Sequence, residues 1–164
     1  MKNPIVSIII GSDSDLPTIR ETEKLLKKFG IAYELRILSA HRSPKRVSEF
    51  ALGAVKRGIK IVIAGAGGAA ALAGTIAAHT TLPVIGIPIE TKTLKGLDSL
   101  FSTVQMPSGV PVGCMAIGKT GAKNAAVFAA QILGIENKVI AEKIQRYKRG
   151  LSKKVEQKNK NIKT

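Results

Sequence analysis

The sequence predicts a three-layer α/β/α sandwich on a parallel, flavodoxin-like sheet, and three observations predict it. Five short runs of apolar, largely β-branched residues recur along 164 residues. Strands that are almost continuously apolar belong to parallel sheets buried on both faces. The segments between them are long enough for crossover helices. Polar or glycine-rich loops follow the first three runs, at the strand ends where open α/β sheets hold their ligands.

The strands are expected at 5–10 (IVSIII), 33–38 (YELRIL), 60–65 (KIVIAG), 83–89 (PVIGIPI) and 112–118 (VGCMAIG). Between the first two, Leu16, Ile19, Thr22, Leu25, Leu26 and Phe29 recur at helical spacing, and Gly30 supplies the stop. Ser43 and Pro44 suit the N-cap and first turn of a second helix, with Val47, Phe50, Ala51, Ala54 and Val55 on its inner face. Ala69 to His79 reads as a short helix of very small residues, and Gly121 to Leu133 as an alanine-rich one. A last helix is expected from about Asn137 to Gln157. Its stripe Ile140, Ile144, Tyr147, Leu151 and Val155 steps by four, three, four and four along an otherwise charged surface. So narrow a stripe needs a partner, and a neighbouring subunit is the expected one. The chain therefore divides into an α/β catalytic domain over 1–135, a C-terminal helix over 136–157 and a basic, frayed tail over 158–164.

Charge narrows the function classes. The net charge is +15, and residues 138–164 hold ten bases and two acids, so more than half of the excess sits at the C-terminal end. Aromatic residues are 4% of the chain and do not interleave with the basic runs, which argues against a stacking platform for nucleic acid. The apolar run at the N-terminus is too short for a membrane span, and no membrane partner is expected. The lone Cys114 excludes an internal disulfide and a cysteine-rich zinc site and fits a reducing cytoplasm. No His, Cys, Asp and Glu set has metal-ligand spacing, so no metal is expected.

Three loops carry the chemistry. GSDSD, 11–15, offers Ser12, Ser14, two carboxylates and a helix start whose free N–H groups favour an anion; Ser14 or Asp15 could equally be a plain N-cap. SAHRSP, 39–44, puts His41 beside Arg42. Histidine exchanges a proton near neutral pH, and arginine grips phosphate with a forked pair of donors. AGAGGAA, 64–70, has no side chain larger than a methyl, so it can offer backbone N–H groups to a carboxylate or carbonyl. Gly65, Gly67 and Ala70 also satisfy a dinucleotide fingerprint, with Glu90 at the distance of a ribose-binding acid, so an NAD-binding enzyme is an alternative. Against it, the fingerprint falls on the third strand, whereas the usual unit begins with it. His79 and Cys114 read as a helix-end residue and a core residue.

These motifs, with LPVIGIPI at 82–89, GLDSLFSTVQMPSGVPVG at 96–113 and NAAVFAAQIL at 124–133, resemble the class I N5-carboxyaminoimidazole ribonucleotide mutases of purine biosynthesis over most of the chain. The resemblance implies transfer of a carboxyl group from N5 to C4, giving 4-carboxy-5-aminoimidazole ribonucleotide without a cofactor. It implies that Ser14, Ser39 and Arg42 hold the 5′-phosphate and Asp15 the ribose hydroxyls. Ser12 and the backbone of Gly67, Gly68, Ala69 and Ala70 would hold the migrating carboxylate, and His41 would be the general acid and base. It further implies a homo-octamer. The sequence departs from the family where Ala71, Leu72, Ala73, Gly74 replaces a usual histidine, leucine, proline and glycine. That departure leaves direct carboxylation of aminoimidazole ribonucleotide by CO2 as a further alternative.

Overall fold

A computed structural model describes residues 3–162. The strands β1 (Val6–Ile10), β2 (Tyr33–Ile37), β3 (Ile61–Ala66), β4 (Val84–Pro88) and β5 (Gly113–Cys114) form one parallel sheet in the order β2-β1-β3-β4-β5. The chain turns to opposite sides of β1 to reach β2 and β3, which makes the gap beyond the ends of β1 and β3 the switch point where such sheets bind ligands.

The period of two splits each strand between two cores. Val6, Ile8 and Ile10 of β1, with Ile61 and Ile63 of β3 and Ile85 and Ile87 of β4, face α1 (Leu16–Phe29) and α5 (Gly118–Gly134). Ile9, Val62, Ala64 and Val84 face α2 (Pro44–Ala54) and α3 (Leu72–Ala77) on the other side. On α5 the inner residues Ala122, Ala125, Ala126, Ala129 and Ala130 are all fully buried. Their methyls let α5 approach α1 closely enough for Thr22 Oγ1 to donate to the Ala122 carbonyl at 2.8 Å. α1 ends at Gly30, as its sequence suggests, in the left-handed conformation that glycine adopts without strain.

Several elements differ from the sequence expectation. β5 spans two residues instead of 112–118: Pro111 has no N–H to start the ladder earlier, and after one further bond, Met115 N–H to Gly86 O, the chain turns into α5. α5 begins at Gly118, three residues early. α3 is only Leu72–Ala77, because the Ala70 and Ala71 amides bond two residues back, to Gly68 O and Ala69 O, and close tight turns in place of a helical turn. Val55 lies in a short 3-10 turn after α2 and is exposed instead of facing inward.

α6 (Lys138–Asn161) starts at Asn137, whose Oδ1 accepts the Ile140 N–H at 3.2 Å, and it continues through residues expected to fray. Lys163 and Thr164 of the expected frayed tail lie outside the described residues. Its apolar stripe is divided. Ile140 and Ile144 are buried in the domain's own core, and Tyr147 meets Phe29 edge to face at 5.5 Å. Lys143 Nζ donates to the Phe29 carbonyl at 2.8 Å and ties α6 to the end of α1. Leu151 and Val155 stay exposed. Among the described residues no helix is long and apolar enough to cross a membrane.

Candidate active site

A cleft of about 530 Å³ opens beyond the carboxyl ends of β1 to β4. Its floor and walls come from the loops that follow these strands, and each loop is shaped by its own hydrogen bonds.

In the first loop, Ser12 caps a 3-10 turn over Asp13–Asp15, its Oγ accepting the Ser14 N–H at 3.4 Å. Asp15 precedes α1 but makes no side-chain capping bond, so capping does not account for its carboxylate. The side chain is buried against the cleft, with Ser14 Oγ 3.4 Å from its Oδ1. Burial pushes its carboxyl above the ordinary carboxylate range; hydrogen bonds from the Ser12 and Gly11 backbone and from Ser14 oppose that, and the nearby Asp13 adds to it.

The second loop folds on itself. Ser43 holds the N-cap position of α2, with Pro44 in the first turn, but makes no side-chain capping bond; its hydroxyl donates to the Ser39 carbonyl and accepts the Ser39 N–H, both at 3.1 Å. Ser39 Oγ accepts the Arg42 N–H at 3.2 Å. The Arg42 guanidinium crosses to the first loop and donates to Gly11 O at 3.0 Å, so the cation is drawn over the switch point. His41 lines the same cleft with its side chain exposed to it.

In the third loop, Gly67 and Ala69 line the cleft, while Gly68 and Ala70 do not. The Gly68 amide is already given to Ser99 Oγ at 3.0 Å, and the Ala70 amide to Gly68 O at 2.8 Å. Among the described residues the Gly67 and Ala69 amides are bonded to no carbonyl or side chain. Of the four amides expected to form a backbone cradle, those of Gly67 and Ala69 are thus the two without a protein partner among the described residues.

Ser12, Ser14, Asp15, Ser39, His41, Arg42, Gly67 and Ala69 are thus brought to one place. A fourth contribution, Ile89, Glu90 and Thr91 after β4, is one the sequence does not single out beyond Glu90 as a candidate ribose-binding acid. The rule that ligands sit at strand ends applied to β4 as much as to its neighbours. Ala71 and Leu72, from the stretch that departs from the family pattern, also line the cleft. His79 sits at the end of α3 with Nδ1 2.8 Å from the Thr75 carbonyl, and burial raises the Cys114 thiol; neither lines the cleft. The described residues contain no metal-ligating group of His, Cys, Asp and Glu.

Residues 5–154 match the model of the AIR carboxylase family. The chain belongs to that family. A Pyrococcus horikoshii member named N5-carboxyaminoimidazole ribonucleotide mutase is 55% identical over 161 residues, covering 98% of this chain and 90% of its own. A Thermotoga maritima member of the same name is 55% identical over 152 residues, covering 93% and 88%. A crystal structure of Treponema denticola PurE superposes with a TM-score of 0.87 at 31% identity, over 98% of this chain and 99% of that one. The glycine run of AGAGGAA lies between β3 and a six-residue helix and gives Gly67 and Ala69 to the cleft lining, and the family match favours this use of the run over a dinucleotide unit.

Proposed function

We propose that this chain is an N5-carboxyaminoimidazole ribonucleotide mutase, an isomerase that moves a carboxyl group from the exocyclic nitrogen to ring carbon C4. The observation that carries the reading is the meeting, in one cleft, of His41, the Arg42 guanidinium with the hydroxyls of Ser14 and Ser39, and the open amides of Gly67 and Ala69. The shared name of family members 55% identical over nearly the whole chain points the same way.

The chemistry assigns roles. Arg42, Ser14 and Ser39 hold the 5′-phosphate over the switch point, and Asp15 takes the ribose hydroxyls. When the N–C bond breaks, its electron pair stays on nitrogen, which must receive a proton. C4 then attacks the freed CO2 and must lose one. His41 gives the first proton and takes the second, so the cycle leaves it unchanged. Ser12 and the open amides of Gly67 and Ala69 hold the carboxylate before and after its move.

Two surfaces support assembly into the homo-octamer this reading expects, in the cytoplasm. Leu97, Phe101 and Val104 form an exposed apolar row along α4 (Leu97–Val104), and Leu151 and Val155 another on distal α6.

The test is a paired assay with N5-carboxyaminoimidazole ribonucleotide, and with aminoimidazole ribonucleotide plus bicarbonate, on the native protein and on His41→Asn. Fast product from the first substrate alone is expected, with His41→Asn slower by roughly a hundred- to ten-thousand-fold and ribonucleotide binding changed less than about tenfold. The family's AIR carboxylase description names the second reading: faster product from the second substrate pair would establish direct carboxylation.

A further inference from the structure

Gly68 is the turning point of the loop between β3 and α3, at φ +67°, a region glycine enters freely but does not itself enforce. What enforces it is α4. Ser99, fully buried, accepts the Gly68 N–H at 3.0 Å and donates its own proton to the Ile89 carbonyl at 2.7 Å. Three residues on, the Ser102 hydroxyl is shared between the Gly68 carbonyl at 3.2 Å and the Asp98 carbonyl at 2.7 Å. The helix that carries both serines is pinned in turn: Asp98 Oδ1 accepts the Ser99 N–H at 2.9 Å and the Thr91 hydroxyl at 2.8 Å. One helix therefore grips the N–H and the C=O of the residue that stands between Gly67 and Ala69.

We propose that Ser99 and Ser102 are positioning residues for the reaction: by clamping Gly68 they fix the Gly67 and Ala69 amides in the arrangement that retains CO2 while it passes from nitrogen to carbon. The inference rests on the mutase reading and deepens it. Before and after the transfer the migrating group is an anion. Between the two bonds it is a small neutral molecule with no phosphate to anchor it. Fixed dipoles and exclusion from water are what the cleft can offer at that moment. A loosened loop leaves the ribonucleotide in place, since Arg42, Ser14 and Ser39 do not depend on α4, but lets CO2 diffuse away and leaves aminoimidazole ribonucleotide behind.

The experiment measures both products from N5-carboxyaminoimidazole ribonucleotide, the C4-carboxylated ribonucleotide and released aminoimidazole ribonucleotide, each above the rate without enzyme. It compares the full chain with Ser99→Ala, Ser102→Ala and Ser102→Thr. Native protein is expected to give almost entirely the C4 product. Ser99→Ala is expected to lower kcat by about ten- to a hundredfold, the scale of a small misplacement of a reacting group, with KM changed less than about threefold and aminoimidazole ribonucleotide the main product. Ser102→Ala moves the split the same way by a smaller factor, because its hydroxyl is shared, and Ser102→Thr restores it.

A role confined to stability would reduce the amount of active enzyme and leave the split unchanged. Ser102 is exposed, so its pair of variants decides the matter even if Ser99→Ala does not fold. An unchanged split in both alanine variants, or in Ser102→Ala alone where Ser99→Ala does not fold, overturns the proposal, as does a Ser102→Thr enzyme that behaves like Ser102→Ala. If the native protein forms no C4 product, the mutase reading fails. Native turnover with an unchanged split in the variants fails the clamp alone.

Discussion

Asp15 is 7% exposed, makes no side-chain capping bond from its place before α1, and keeps its carboxyl above the ordinary value of 3.8 because burial penalises the charge more than the neighbouring donors relieve it. A raised carboxyl means that the folded chain binds this proton more readily than the unfolded chain. Its contribution to stability therefore falls as pH rises from about the unfolded value through the folded one, and Asp15 is a net burden at neutral pH. Asp15→Asn is expected to raise the melting temperature at pH 7, to lose that advantage below the ordinary carboxylate range, and to weaken ribonucleotide binding. Melts across that pH range check it; a lower melting temperature at pH 7 would mean that the charge is structural. The candidate residues Ser12, Ser14, Asp15, Ser39, His41 and Arg42 were legible because the loop motifs fall at strand ends. Ser99 was not: its part depends on which carbonyl and which amide a buried hydroxyl meets across 31 residues of sequence.

At the scale of elements, the four long strands follow from apolar runs, and α1, α2 and α5 from apolar spacing, start and stop residues and alanine content, with boundaries shifted by up to three residues. The elements that strayed have tertiary causes. α3 shrank because loop amides bond two residues back, and β5 is cut by Pro111 and by the turn into α5. By its spacing the stripe on α6 is one surface needing one partner. Its first half instead closes the core of its own domain, which the spacing could not show because both halves have the same period. This division predicts different results for two truncations. Ending the chain after Ile135 removes Ile140 and Ile144 from the core, and the loss of two large buried side chains, on the order of 2–5 kcal/mol each, is expected to unfold the domain. Ending it after Gly150 removes Leu151 and Val155, which are exposed, and is expected to leave a folded domain by circular dichroism with a lower assembly mass by light scattering. An unchanged mass would show that distal α6 is not an interface.

For the whole molecule, the parallel sheet explains why the chemistry collects where it does. Strand order brings four loops, separated by tens of residues, to one edge, and the small residues of α5 and of the third loop let the layers close tightly around it. In the proposed mechanism the phosphate grip falls to the loops after β1 and β2, proton transfer to the loop after β2, and retention of CO2 to the loop after β3 supported by α4. The central claim is that the carboxyl group never leaves the cleft. The most direct measurement supplies N5-carboxyaminoimidazole ribonucleotide with carbon-13 in its carboxyl group, in an excess of unlabelled bicarbonate, and reads the label in the C4 product by mass spectrometry. Retention of nearly all the label is the predicted result, and product bearing the unlabelled carbon of the medium would contradict the account.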